Sequence, residues 1–274
     1  MEPQFEVLPP QQRPPAPPKK SVTQAIGGGF VAILVLLAKF KFLLLGGLKT
    51  ILSMGLSIWI YSRIFGWRFA AGLVVLILVH EMGHVIAAKL LGLPVSAPLF
   101  IPFFGAAIIM KQNPRDARTE ALMAYGGPLA GCIGSWICWF IALQFGINWL
   151  LAVASLSFLI NIFNMIPVPP LDGGRICAAV SPWFWIIGVV LLGLSVIYFH
   201  RWNGIVIIVL VLFMAFRRIK QTLFGVPSPE KQAYYHTHIS NRITMALMFL
   251  GLLAALMLGY WDSQQHLAYL SDQS

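Results

Sequence analysis

The chain has 274 residues, 58% of them hydrophobic and only 10% charged, with a formal net charge of +10. So little charge cannot cover the surface of a soluble domain of this length, and the composition is that of an integral membrane protein embedded in a lipid bilayer. The positive balance is dealt out between apolar segments rather than gathered on one basic face, which argues against a nucleic-acid partner.

In chain order, the stretch EPQFEVLPPQQRPPAPPKK is proline-rich and cannot bury a core, so residues 1–26 are expected to form a disordered tail. The apolar run after it starts late and is broken early by lysine, which argues against a cleaved signal peptide. Gly28–Ala38 is apolar but Lys39 and Lys41 follow at once, so it reads as a half-span or an interfacial helix. About 20 apolar residues span roughly 30 Å of hydrocarbon. Helices approaching that length are expected at Leu43–Tyr61, Phe69–Leu91, Thr119–Leu143, Leu150–Ile166, Ser181–Phe199, Asn203–Phe216 and Ile243–Tyr260, the sixth being short. The fold class is therefore an all-α polytopic membrane protein with about seven transmembrane helices. Cys132, Cys138 and Cys177 form no CxxC pair and read as small apolar residues.

The basic residues supply a topology. If the first of these helices starts in the cytoplasm and the seven alternate, Arg63, Arg68 and Arg201 fall outside and the rest of the 19 Lys and Arg fall inside. That asymmetry is the positive-inside rule, with Trp67, Trp149, Trp202 and Trp261 at the outer interface as an aromatic belt. The expected location is a cell's inner membrane, an organelle membrane being the alternative.

The second expected helix carries His80-Glu81-Met82-Gly83-His84 at its middle. On a helix, positions i and i+4 share a face, so both imidazoles can reach one ion at about 2.0–2.1 Å. Glu81 lies at the edge of that face, where it can take a proton from a water held at the ion without being a ligand. Ionisable residues at a helix centre in a membrane cost at least about 2.5 kcal/mol each and seldom occur without a role. A catalytic zinc site usually has three protein ligands. His200 and His266 fall on the outer side of this topology, and His236 and His238 read as a polar loop. The better third ligand is Asp172 in NMIPVPPLDGGRI, which follows an inward-running helix and arrives at a similar depth to His80 and His84. Pro167, Pro169 and Pro170 end that helix, and irregular backbone at membrane depth is tolerated only where it is buried in protein or lines a wet cavity.

HEMGH followed by Asn164-Met165-Ile166-Pro167-Val168-Pro169-Pro170-Leu171-Asp172-Gly173 resembles the site-2 protease family of intramembrane zinc metalloproteases, peptidase family M50, in a compact form without a PDZ domain. Tyr125-Gly126-Gly127-Pro128-Leu129-Ala130-Gly131 is similar to that family's middle core helix, and the likeness covers about Phe69 to Val180. It implies His80, His84 and Asp172 as ligands of Zn2+, Glu81 as general base, and Asn164 as a holder of substrate backbone or of the developing oxyanion. By itself, Asn164 could equally bond a neighbouring helix. Where many members have Asn after Gly-Pro-x-x, this chain has Gly131, so a polar contact there is expected to be missing. Gly127 and Gly131 form a GxxxG pair that reads first as close helix packing.

The expected domain plan has N-terminal membrane helices over 27–68, C-terminal membrane helices over 181–260 and a polar tail over 261–274, with a three-helix metalloprotease core over 69–180 that the resemblance implies. Val95–Met110 is apolar but broken by prolines and glycine. It reads as strands dipping into the inner leaflet or as a plain re-entrant loop, and the resemblance supports a short β segment. The implied activity is endopeptidase cleavage within or near the transmembrane segments of single-span membrane proteins, with the active site toward the cytoplasmic side. Two rivals stand beside it. A secondary transporter could run ions or protons along the same His, Glu and Asp, but no internal repeat is visible. An inactive scaffold with a structural metal would have lost Glu81 or the third ligand, and both are present.

Overall fold

The computed structural model describes residues 47–103, 105–199, 202–226 and 228–272. The expected tail over 1–26, the Gly28–Ala38 half-span, His200 and Arg201 lie outside the described residues. Nine helices and one hairpin are described, and each expected spanning segment is helical over most of its described length, with Leu91, Met165, Ile166 and residues 181–183 outside the helices. Residues 47–65 form α1, Trp67–Leu90 α2, Ala117–Phe145 α3 and Asn148–Asn164 α4. There follow α5 (Asp172–Val180), α6 (Phe184–Phe199), α7 (Trp202–Leu223), α8 (Pro229–Tyr235) and α9 (Ile239–Asp272). By length and composition α2, α3 and α9 are able to cross a membrane, while α4 and Phe184–Leu194 are apolar but shorter. Many large apolar side chains stay exposed, among them Ile86, Phe140 and Leu247. So many exposed apolar side chains suit lipid and are a liability in water.

The helix ends follow local chemistry. Gly92 adopts a left-handed φ of 74° just past α2, and the Leu93 amide donates to the Ala88 carbonyl at 2.8 Å, closing the helix in a Schellman turn. The Asp116 carboxylate caps α3 by accepting from the Thr119 amide at 2.7 Å. α4 stops at Asn164 because prolines at 167, 169 and 170 remove donors and exclude helical backbone.

Val95–Met110 contains two short antiparallel strands, β1 (Leu99–Ile101) and β2 (Gly105–Ala107), with Phe100 opposite Ala106 and a further bridge between Val95 and Met110. α1 holds this hairpin. Thr50 donates to the Pro98 carbonyl at 2.6 Å, and the Phe100 amide donates to Ser53 at 3.1 Å. The Phe103 amide donates to the Tyr61 hydroxyl at 2.7 Å.

The largest core cluster sits where α3, α4, α5 and α9 meet. Phe158 of α4 is fully buried among Ala124, Cys132, Leu252 and Leu256. α2 and α3 touch backbone to backbone: a Cβ added to Gly83 would lie 2.1 Å from the Gly126 oxygen. The three cysteines are free thiols, Cys132 and Cys177 buried, as expected of small apolar residues.

Candidate metal centre

His80 and His84 stand one helical turn apart on α2, and Asp172 is the first residue of α5. Three devices bring them together. Gly83 and Gly126 let α2 and α3 approach closely, and Gly127 leaves room for the His84 ring, because a Cβ there would lie 2.2 Å from Nε2. The Pro turn then lays α5 against the end of α4: a Cβ on Gly173 would fall 2.1 Å from the Met165 oxygen, and one on Gly174 2.3 Å from the Val168 carbonyl carbon. Trp185, fully buried, donates from its indole nitrogen to the Gly174 carbonyl at 2.7 Å and pins α5 from α6.

The result is a nearly equilateral triangle. The two Nε2 atoms lie 3.2 Å apart, and Asp172 Oδ2 lies 3.3 Å from that of His80 and 3.2 Å from that of His84. A tetrahedral zinc with bonds of about 2.0–2.1 Å sets its ligand atoms about 3.3–3.4 Å apart. His84 Nδ1 lies 3.0 Å from the Met123 carbonyl, which can only accept, so that nitrogen carries the proton and Nε2 presents a lone pair. Imidazole lone pairs and a carboxylate oxygen facing one another repel, and a divalent cation between them satisfies all three. The residues present therefore fit Zn2+. Among the described residues, these three are the group of His, Cys, Asp or Glu gathered closely enough to share an ion.

A cavity of about 700 Å³ opens beside the triangle, and Glu81 and Asn164 join the three on its wall. Asn164 also donates from its amide to the Ile160 carbonyl at 3.2 Å, a bond within its own helix. Ala106, Ala107 and Ile108 of the hairpin region and Met214 of α7 form other parts of the wall. His236 and His238 stand between α8 and α9, and His266 lies 3.2 Å from Asp262 within α9.

One residue escaped the sequence reading. Asn161, 2% exposed, places Oδ1 2.8 Å from His80 Nδ1. The signal was an asparagine inside an otherwise apolar helix, one turn before Asn164. The GxxxG reading of Gly127 and Gly131 also changes. Both are tightly packed, but against the His84 ring and the Asn161 amide, while the backbones of α2 and α3 meet at Gly83 and Gly126.

Residues 68–147 and 144–188 match the model of peptidase family M50. Zinc metalloprotease MJ0392 of Methanocaldococcus jannaschii is 31% identical over 135 residues, 47% of this chain and 39% of that protein. Rip3 of Mycobacterium tuberculosis is 26% identical over 133 residues, 43% of this chain and 33% of its own. Stage IV sporulation protein FB of Bacillus subtilis is 27% identical over 108 residues, 38% of this chain and 37% of its own. The matched stretch thus spans about a third to two-fifths of the length of these curated relatives. Residues 68–188, which hold the histidine pair, the glycine-rich helix and the Pro-turn aspartate, are thus similar to peptidase family M50, the family that the motifs resemble.

Proposed function

We propose that this chain is a zinc-dependent intramembrane endopeptidase that cleaves single-span membrane proteins within or near their transmembrane segments. The observation that carries the reading is the triangle of His80, His84 and Asp172, with Glu81 on the wall of the same cavity. When bound, zinc lowers the pKa of an adjacent water to about 7 and polarises a carbonyl. Glu81 would then serve as the base that accepts a proton from water and returns it to the leaving amine. Asn164 faces the cavity and offers its amide to the substrate backbone or to the oxyanion.

A transmembrane helix hides its peptide bonds, so the substrate must become locally extended. The hairpin at the cavity wall supports a route for this, since an extended segment can pair with a strand edge. The positive-inside count favours seven spans, with the site in the half of the membrane that faces the cytoplasm. The three-helix core is α2, α3 and α4 with the Pro turn, the N-terminal and C-terminal helices flanking it.

The test is zinc content and cleavage in one experiment, on wild type, Glu81→Gln and Asp172→Ala purified in detergent with a panel of single-span substrates. The expected result is one zinc and cleavage for wild type, zinc without cleavage for Glu81→Gln, and loss of zinc for Asp172→Ala. A wild type without zinc, or an Asp172→Ala variant that binds it unchanged, overturns the site and reopens the transporter and scaffold readings.

A further inference from the structure

We propose that Asn161 is the positioning residue of His80 and that Gly131 is its obligatory partner, so the polar contact expected to be missing from α3 is supplied from α4. The inference rests on the zinc reading above.

Asn161 Nδ2 lies 2.8 Å from the Ser157 carbonyl, an oxygen that can only accept. The NH2 end of the amide must therefore point at Ser157, which turns Oδ1 toward His80 Nδ1 at 2.8 Å. Oδ1 also only accepts, so His80 Nδ1 carries the proton and Nε2 is left with its lone pair aimed at Asp172 and His84. One amide thus selects both the tautomer and the ring orientation that a metal ligand needs, the task usually performed by a carboxylate or carbonyl behind a ligating histidine.

Space for this amide exists because residue 131 has no side chain. A Cβ on Gly131 would lie 2.2 Å from Asn161 Oδ1 and 2.6 Å from Nδ2. The surrounding polar groups hold the arrangement rigid: Ser135 donates to the Gly131 carbonyl at 2.7 Å, and its hydroxyl lies 2.7 Å from that of Ser157. All of these side chains are buried, which favours their pairing with one another. Across the same helix, His84 takes its orientation from a backbone carbonyl, which substitution cannot remove. The side-chain control of the triangle therefore falls on Asn161.

The experiment measures the zinc Kd of the purified full chain by chelator competition, and the visible spectrum of its cobalt-substituted form. Asn161→Leu keeps the volume and loses the acceptor, Asn161→Asp keeps an acceptor oxygen, and Gly131→Ala fills the cradle. Zinc binding about 10–100-fold weaker is expected for Asn161→Leu and Gly131→Ala, with an altered cobalt spectrum, and Asn161→Asp, which keeps the acceptor toward His80 but loses the donor to the Ser157 carbonyl, should lose less. A folded Asn161→Leu with wild-type Kd overturns the inference, as does an equal loss in Asn161→Asp, which would make the site one of packing alone. Should Asn161→Leu not fold, Gly131→Ala decides in the same way. A wild type that binds no zinc overturns the function itself and this inference with it, an outcome distinct from an unmoved Kd in the variants.

Discussion

Gly127 has no side chain, and the imidazole of His84 fills the space where one would be, 2.2 Å from a hypothetical Cβ. The ring cannot retreat, because Nδ1 is tied to the Met123 carbonyl and Nε2 is one corner of the triangle. Gly127→Ala should therefore weaken zinc binding by at least tenfold, the overpacking costing about 1–3 kcal/mol. Gly251→Ala, at a position with nothing within 4 Å, is the matched control and should leave zinc content unchanged. Equal zinc Kd values for the two variants would show that His84 is held more loosely than this. At this scale His80, Glu81, His84 and Asp172 are legible in the sequence, because helical rise alone puts i and i+4 on one face and a proline turn announces the aspartate. Asn161 is not legible, because its partner lies 81 positions away and only packing decides which of two asparagines one turn apart faces which group.

α3 begins at a capped terminus that can be tested through pH. Partial burial raises the Asp116 carboxyl, but the Thr119 amide and hydroxyl, with Arg115 and Arg118, outweigh it and hold the group below the usual carboxylate range. A lowered folded-state pKa means stability that is present above the unfolded value of about 3.9 and is lost as pH falls through the folded value. Asp116→Ala should cost about 0.5–2 kcal/mol at neutral pH, and wild type and variant should converge in apparent Tm below about pH 4. A gap that persists in acid would move the effect away from the cap. The hairpin is a second element held by few bonds. Removing the Tyr61 hydroxyl that accepts from the Phe103 amide should cost about 0.5–1.5 kcal/mol. Hydrogen exchange at the hairpin of Tyr61→Phe should then quicken roughly 2–10-fold, and unchanged exchange would give the anchoring to Thr50 and Ser53. Hydrophobic runs and breakers made the helices legible. The overrun of α9 to Asp272, through residues that read as a polar tail, was not. Its last turns are stabilised by tertiary contacts, with Gln264 donating to Ser155 of α4 at 2.7 Å. The strands, three residues each, are too short for periodicity to distinguish from a loop.

Across the whole molecule, charge is spent where helices from distant parts of the chain must stay together. Glu120 of α3, its side chain 5% exposed, meets Arg218 of α7 at 2.9 Å and Arg175 of α5 at 3.8 Å. It also accepts from the Tyr234 hydroxyl of α8 at 2.5 Å. Burial and that carboxylate raise the Tyr234 phenol above its usual value, so it stays a donor through the neutral range. Nothing in the sequence pairs Glu120 with Arg218, 98 positions away. Hydropathy reports depth but not which helices touch, so this hub was invisible to it. Removing one partner of a buried ion pair costs about 3–5 kcal/mol when the remaining charge is stranded. Here Tyr234 and Arg175 still face Glu120, and Arg218 is itself 37% exposed, so Arg218→Met should cost less, about 1–2 kcal/mol. The variant should lower the apparent Tm and speed proteolysis between Lys220 and Asn241, while zinc content stays at the wild-type level because no ligand rests on α7. Loss of zinc in Arg218→Met would mean that the C-terminal helices support the metal triangle directly. An unchanged Tm would reduce the hub to a solvated ion pair and leave apolar packing of Val168 and Leu192 against Val211 and Ala215 as what holds α7 in place.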